Sequence, residues 1–146
     1  MKKVLLWVVG IAVVIQFIRP DFKNPRVNPK LALSGDKEVM HILKNSCYDC
    51  HSNETKYPWY HNVAPVSWMM SSNIEGGRKA LDFSNWASID KQVKLKRLKR
   101  AKQLVNNEMM PKSEYLLIHD KAVLDTKKKE TLEKFFDKEI KKLQKS

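Results

Sequence analysis

Cys47-Tyr48-Asp49-Cys50-His51 sets two thiols three positions apart, with an imidazole directly after the second. These residue types at this spacing suit covalent attachment of a c-type haem. One helical turn presents both thiols to the two vinyl groups on one edge of the macrocycle. The next residue then lies beneath the iron, where His51 supplies a neutral imidazole nitrogen as axial ligand. Other uses of the pair fit less well. A thioredoxin-type dithiol belongs in a βαβ setting, and the chain shows no strand-like alternation of useful length. A zinc site needs a second cluster of ligands, whereas His61 and His119 are single and scattered. A plain disulfide would leave His51 without a role.

The iron has a second axial position, and the ligand there tunes potential and reactivity. Met110 is the favoured candidate. It lies well downstream of the motif, in a loop between two expected helices, and Pro111 stiffens the backbone behind it. Met109, His61 and His119 are the alternatives; Met69, Met70 and His41 are expected to pack or to face solvent. The aromatic group Tyr57, Trp59, Tyr60 and Trp68 is expected to wall the haem. Arg78 could pair with a haem propionate, because a guanidinium matches a carboxylate bidentately, or it could face solvent. Asp49 and Glu54 are single carboxylates expected to be exposed.

These groups need elements to hold them. From Ser34 the pattern turns helical, with Ser34 or Asp36 as cap and an apolar stripe of Val39, Met40, Ile42 and Leu43 that runs into Cys47. A second helix is expected from Val66 to about Ile74, stopped by Gly76-Gly77. Ser84 looks like a further N-cap. Residues 91–105 form an amphipathic helix ended by Asn106-Asn107. Ser113 to His119 is a short helical turn. A last helix starts near Asp125 or Thr126, with Leu132, Phe135, Phe136, Ile140 and Leu143 on one face. The domain reads as all-α.

Before this domain, residues 4–18 are almost wholly apolar, preceded by Lys2 and Lys3 and closed by Arg19, Pro20 and Asp21. That is the shape of an export signal. No A-x-A-like cleavage site follows, so a retained anchor is expected, although about 20 apolar residues are usual for a span. Lys2 and Lys3 would stay cytoplasmic, with the rest in the periplasm. Covalent haem attachment occurs on that side of bacterial inner membranes, so the two signals agree. The expected organisation is a signal-anchor over residues 1–19, a proline-bearing linker over 20–33, and a haem domain over 34–146.

The formal net charge of +12 is concentrated in residues 91–102 and 127–145. No zinc-finger spacing, RNP motif or helix-turn-helix glycine pattern accompanies it, so no nucleic-acid partner is expected. Solvated lysines, or contact with an acidic redox protein or anionic lipid, explain the excess. Both cysteines belong to one local site, leaving none for a structural staple.

Three longer runs carry a resemblance: CYDCHSNETKYPWYHNVAPVSW, EGGRKALDFSNW and MMPKSEYLLIHD. They resemble the haem-binding domain family of small bacterial, cytochrome-c-like membrane proteins, over about residues 30 to 140. The resemblance implies one covalent haem behind a single N-terminal membrane segment. It places thioethers at Cys47 and Cys50, the proximal ligand at His51, and the distal candidate at the methionine before proline, Met110. Two successive methionines leave that last register open between Met109 and Met110. The function expected is electron transfer with an unidentified redox partner, since no acid–base pair is evident beside the motif. A haem-based sensor or peroxidase-like enzyme with an open distal site is the alternative; a non-redox module stapled by haem is a third.

Overall fold

The computed structural model describes residues 1–145 and is helical, with no strand among the described residues. Its α-helices are α1 (Lys2–Val14), α2 (Lys37–Ser46), α3 (Tyr48–His51), α4 (Val66–Ala80), α5 (Lys91–Asn106), α6 (Ser113–Leu116) and α7 (Thr126–Lys145). Aspartates start three of the longer ones. Asp36 accepts from Val39 N at 3.1 Å, Asp90 from Gln92 N at 2.8 Å, and Asp125 from Lys128 N at 2.8 Å. Each carboxylate satisfies an amide that has no partner within its helix. Ser84 does not cap; its hydroxyl accepts from Asn53 N at 2.8 Å, next to the attachment motif.

The apolar stripes of α2, α5 and α7 meet in one core, where Leu43, Leu98 and Leu132 are fully buried. Leu33, at the end of the expected linker, belongs to this core too. Its N–H donates to Phe83 O at 2.7 Å. Upstream, the chain is strapped across the domain. Asn24 Nδ2 donates to Thr55 O at 2.9 Å, and Trp68 Nε1 donates to Ile18 O at 2.7 Å.

The N-terminal segment departs from expectation. Among the described residues no helix is long and apolar enough to cross a membrane. The expected single-pass anchor and the inner-membrane, periplasm-facing placement built on it are therefore not supported. The reason is visible in the segment. α1 has 13 residues, about 20 Å of helix against a hydrocarbon core of about 30 Å. It gives way to a 3-10 turn at Ile15–Phe17. There Gln16, its one polar residue, docks on the domain: Gln16 Nε2 donates to Ala64 O at 3.1 Å, and Ala64 N donates back to Gln16 Oε1 at 3.0 Å.

α4 also runs further than expected. It passes through Gly76 and Gly77 and ends at Ala80, and neither glycine has positive φ. Gly77 is there for closeness. A Cβ at that position would overlap the Cys50 carbonyl, with Cys50 C at 2.9 Å and Cys50 Cβ at 3.1 Å. Gly76 faces open space. The two positions should therefore respond oppositely to alanine. Gly76→Ala should stabilise by about 1 kcal/mol through helix propensity. Gly77→Ala should destabilise by about 1–3 kcal/mol through overpacking. Chemical denaturation checks both; a gain at position 77 would contradict the close approach.

Candidate functional site

The turn from Cys47 to His51 forms one wall of a cavity of about 300 Å³. Cys47, Cys50 and His51 all line it. α4 supplies a second wall with Met69, Met70 and Ile74, and residues 110–119 supply a third with Met110, Tyr115 and His119. The chain reversal that delivers Met110 has a clear cause. α5 ends in a Schellman motif, with Glu108 N donating to Val105 O and Met109 N to Leu104 O. Glu108 takes the left-handed conformation, φ 57°, at the position glycine usually fills. Met110 then turns inward, while Met109 is 56 % exposed and off the cavity wall.

His51 is held for coordination. Its Nδ1 donates to Leu81 O at 2.9 Å. That bond fixes the tautomer and leaves Nε2 as the nitrogen with a lone pair to offer. Burial lowers the ring's pKa, against opposing hydrogen bonds to the Leu81 and Gly77 backbone, so the neutral form a metal needs is favoured. The backbone beside it is tied as well: Phe83 N donates to His51 O at 2.8 Å.

Burial raises Cys47 to about 12, with Cys50 adding to the effect. Burial also raises Cys50 to about 11, helped by Asp49 and opposed by Lys112 and Arg78. Such cysteines stay as thiols at neutral pH, unlike the depressed pair of a dithiol oxidoreductase. Among the described residues no group of three or more His, Cys, Asp or Glu could hold a bare metal ion. The site does fit a haem. Two thiols, an oriented imidazole and a thioether line the same cavity. Ser46 Oγ, beside Cys47 on that wall, is buried with no hydrogen-bond partner.

Other expected site residues lie elsewhere. Trp59 is 84 % exposed and does not reach the cavity. Tyr57 donates to Asn24 Oδ1 at 3.1 Å, and of that aromatic group only Tyr60 lines the space. Arg78 is not a cavity residue either. Its Nε donates to Ser52 O at 2.8 Å, and its Nη2 to Asn24 Oδ1 at 2.9 Å and Thr55 Oγ1 at 3.0 Å. The guanidinium thus clamps the N-terminal strap to the loop after the motif. Asp49, expected to be exposed and single, instead accepts from Tyr115 Oη at 2.7 Å. Tyr115 carried no sequence signal for this; burial and the Asp49 bond raise its pKa far above the usual phenol range.

The two alternative imidazoles are engaged. His119 Nδ1 donates to Tyr115 O at 2.8 Å, and Nε2 accepts from Tyr60 Oη at 3.2 Å. His61 lies outside the cavity, with Nδ1 on Pro58 O at 2.6 Å.

A family profile described as haem-binding domain matches residues 10–138. No curated protein and no solved structure matches the chain.

Two measurements test this geometry. In the haem-free chain, iodoacetamide should modify both thiols slowly at pH 8. The rate should rise about tenfold per pH unit as thiolate forms, up to about 11 for Cys50 and about 12 for Cys47. The rate of an ordinary peptide thiol at pH 8 would show that the turn is not buried. Arg78→Ala should cost about 2 kcal/mol of stability, as expected for lost hydrogen bonds to a charged group, yet leave haem content unchanged. Haem loss at unchanged stability would instead assign Arg78 to a propionate.

Proposed function

The chain belongs to the haem-binding domain family, and on that premise we propose that it is a c-type monohaem electron carrier. Cys47 and Cys50 would hold the macrocycle as thioethers, with His51 and Met110 as axial ligands. One observation carries this reading: residues remote in sequence, Cys47, Cys50, His51 and Met110, line a single cavity. Haem supplies one-electron chemistry, and thioether ligation raises its potential.

The protein's part is to bind, orient and exclude. Leu81 O orients the proximal imidazole. Met70, Ile74 and Met110 give the cavity an apolar lining, which favours a buried cofactor of low polarity. His119 is the one further imidazole on the wall, and both its nitrogens are engaged. It is therefore neither a free distal base nor a ready ligand, which favours a carrier over a peroxidase-like enzyme. An acidic redox protein suits the outer face. α5 carries seven Lys or Arg and no Asp or Glu, and only Lys102 among them is paired with carboxylates, Glu133 and Asp137. Unbalanced charge of this kind speeds association with an oppositely charged partner.

The test is an optical one, on haem-bound protein. The ferric form should show the weak red-end band of Met–Fe bonding, and the reduced form should bind carbon monoxide only weakly. Met110→Ala should lose the band and admit carbon monoxide, whereas Met109→Ala should do neither. An unchanged spectrum in Met110→Ala would move the ligand elsewhere. Tight carbon monoxide binding to the unaltered protein would favour a sensor or enzyme.

A further inference from the structure

Residues 109–119 carry the distal candidate yet contain only one helical turn of their own, α6. At one end the segment is fixed by the reversal after α5. Beyond Met110 three side-chain hydrogen bonds hold it, one to each neighbouring part of the cavity. Lys112 Nζ donates to Asn73 Oδ1 on α4 at 2.8 Å, at an exposed position. Tyr60 Oη meets His119 Nε2 at 3.2 Å. Tyr115 Oη donates to Asp49 Oδ2 at 2.7 Å, partly buried.

The third differs from the others in several respects. It is the shortest of the three, and it alone of the three has a carboxylate as acceptor. Its acceptor also belongs to the attachment turn itself, between Cys47 and Cys50. That carboxylate is not free to swing. Asp49 Oδ1 accepts from Lys56 N at 3.0 Å, and Asp49 O accepts from Thr55 Oγ1 at 2.8 Å. On the other side the Tyr115 ring is stacked on His119, with centroids 4.0 Å apart and planes at 13°. The pair thus joins a fixed acceptor on the proximal side to a braced ring on the distal side.

We propose that Asp49 and Tyr115 are positioning residues. Their hydrogen bond latches the Met110 segment to the haem-attachment turn and so holds the thioether within reach of the iron. This inference rests on the axial ligation proposed above. Neither residue touches iron in this account; both act through the placement of Met110.

The experiment uses the haem-bound protein and removes one hydroxyl. Tyr115→Phe should weaken the Met–Fe band and raise carbon monoxide affinity of the reduced form about tenfold, the size expected for one net hydrogen bond. Haem content and helical circular dichroism should not change. Asp49→Asn keeps an acceptor oxygen but loses the charge, so the rise should be smaller, about threefold. The double variant should add little to Tyr115→Phe alone, because both changes break one bond. A Tyr115→Phe protein with the original band and the original carbon monoxide affinity overturns the latch and leaves the Met110 assignment standing. An unaltered protein with no Met–Fe band overturns that assignment first, and the latch with it. If Tyr115→Phe takes up no haem, Asp49→Asn decides alone: a weakened band supports the latch, and an unchanged one overturns it.

Discussion

Backbone lies against backbone where α4 crosses the attachment turn, and the cavity depends on that approach. Only a residue without a side chain can stand at position 77, because the Cys50 carbonyl occupies the space a Cβ would take. Several features follow from this one contact. Ile74 and Met70, about one and two helical turns earlier on α4, are brought in as cavity wall. The next residue, Arg78, comes within reach of Ser52 O and Thr55 Oγ1 just past the motif. The chain leaving α4 then places Leu81 O on His51 Nδ1. A single helix and its exit thereby provide a wall, a clamp and the tautomer of the His51 imidazole.

Burial acts in the same direction on three chemical groups. It raises both thiols and lowers the imidazole, so each is kept in its neutral form. Charge is displaced to the outside, above all to α5. The separation is physically consistent. A low-dielectric interior suits a cofactor that is mostly hydrocarbon, while an unbalanced outer face acts at long range on other molecules.

How much of this was legible in the sequence differs by the range of the interaction. The attachment motif is wholly local, and residue types within five positions identify it. The helices starting at Asp36, Asp90 and Asp125 follow from caps and periodicity, which are also local. That Met110 lines the cavity agrees with its place before Pro111. The failures are of another kind. Gly76-Gly77 reads as a helix stop, since glycine is a poor helix former; the reason for Gly77 is a neighbour 27 positions away. Arg78 and Trp59 have the right chemistry for a haem pocket, but side-chain type does not say which way a residue faces. Leu81 contributes through its carbonyl, and a backbone group carries no residue-type signal. The apolar run at residues 4–18 suggested a span because composition ignores where a helix ends, and Gln16 ends it by docking on Ala64.

The contacts around the cavity also differ in what they cost the chain to close. The attachment turn and α4 are close in sequence, so joining them closes a short loop and costs little chain entropy. Residues 109–119 must come back across a much longer stretch, and Tyr115 to Asp49 closes a loop of 66 positions. A contact of that separation costs more chain entropy to close. The thiols and the imidazole thus come from the short-range side of the cavity, and the segment carrying Met110 from the long-range side.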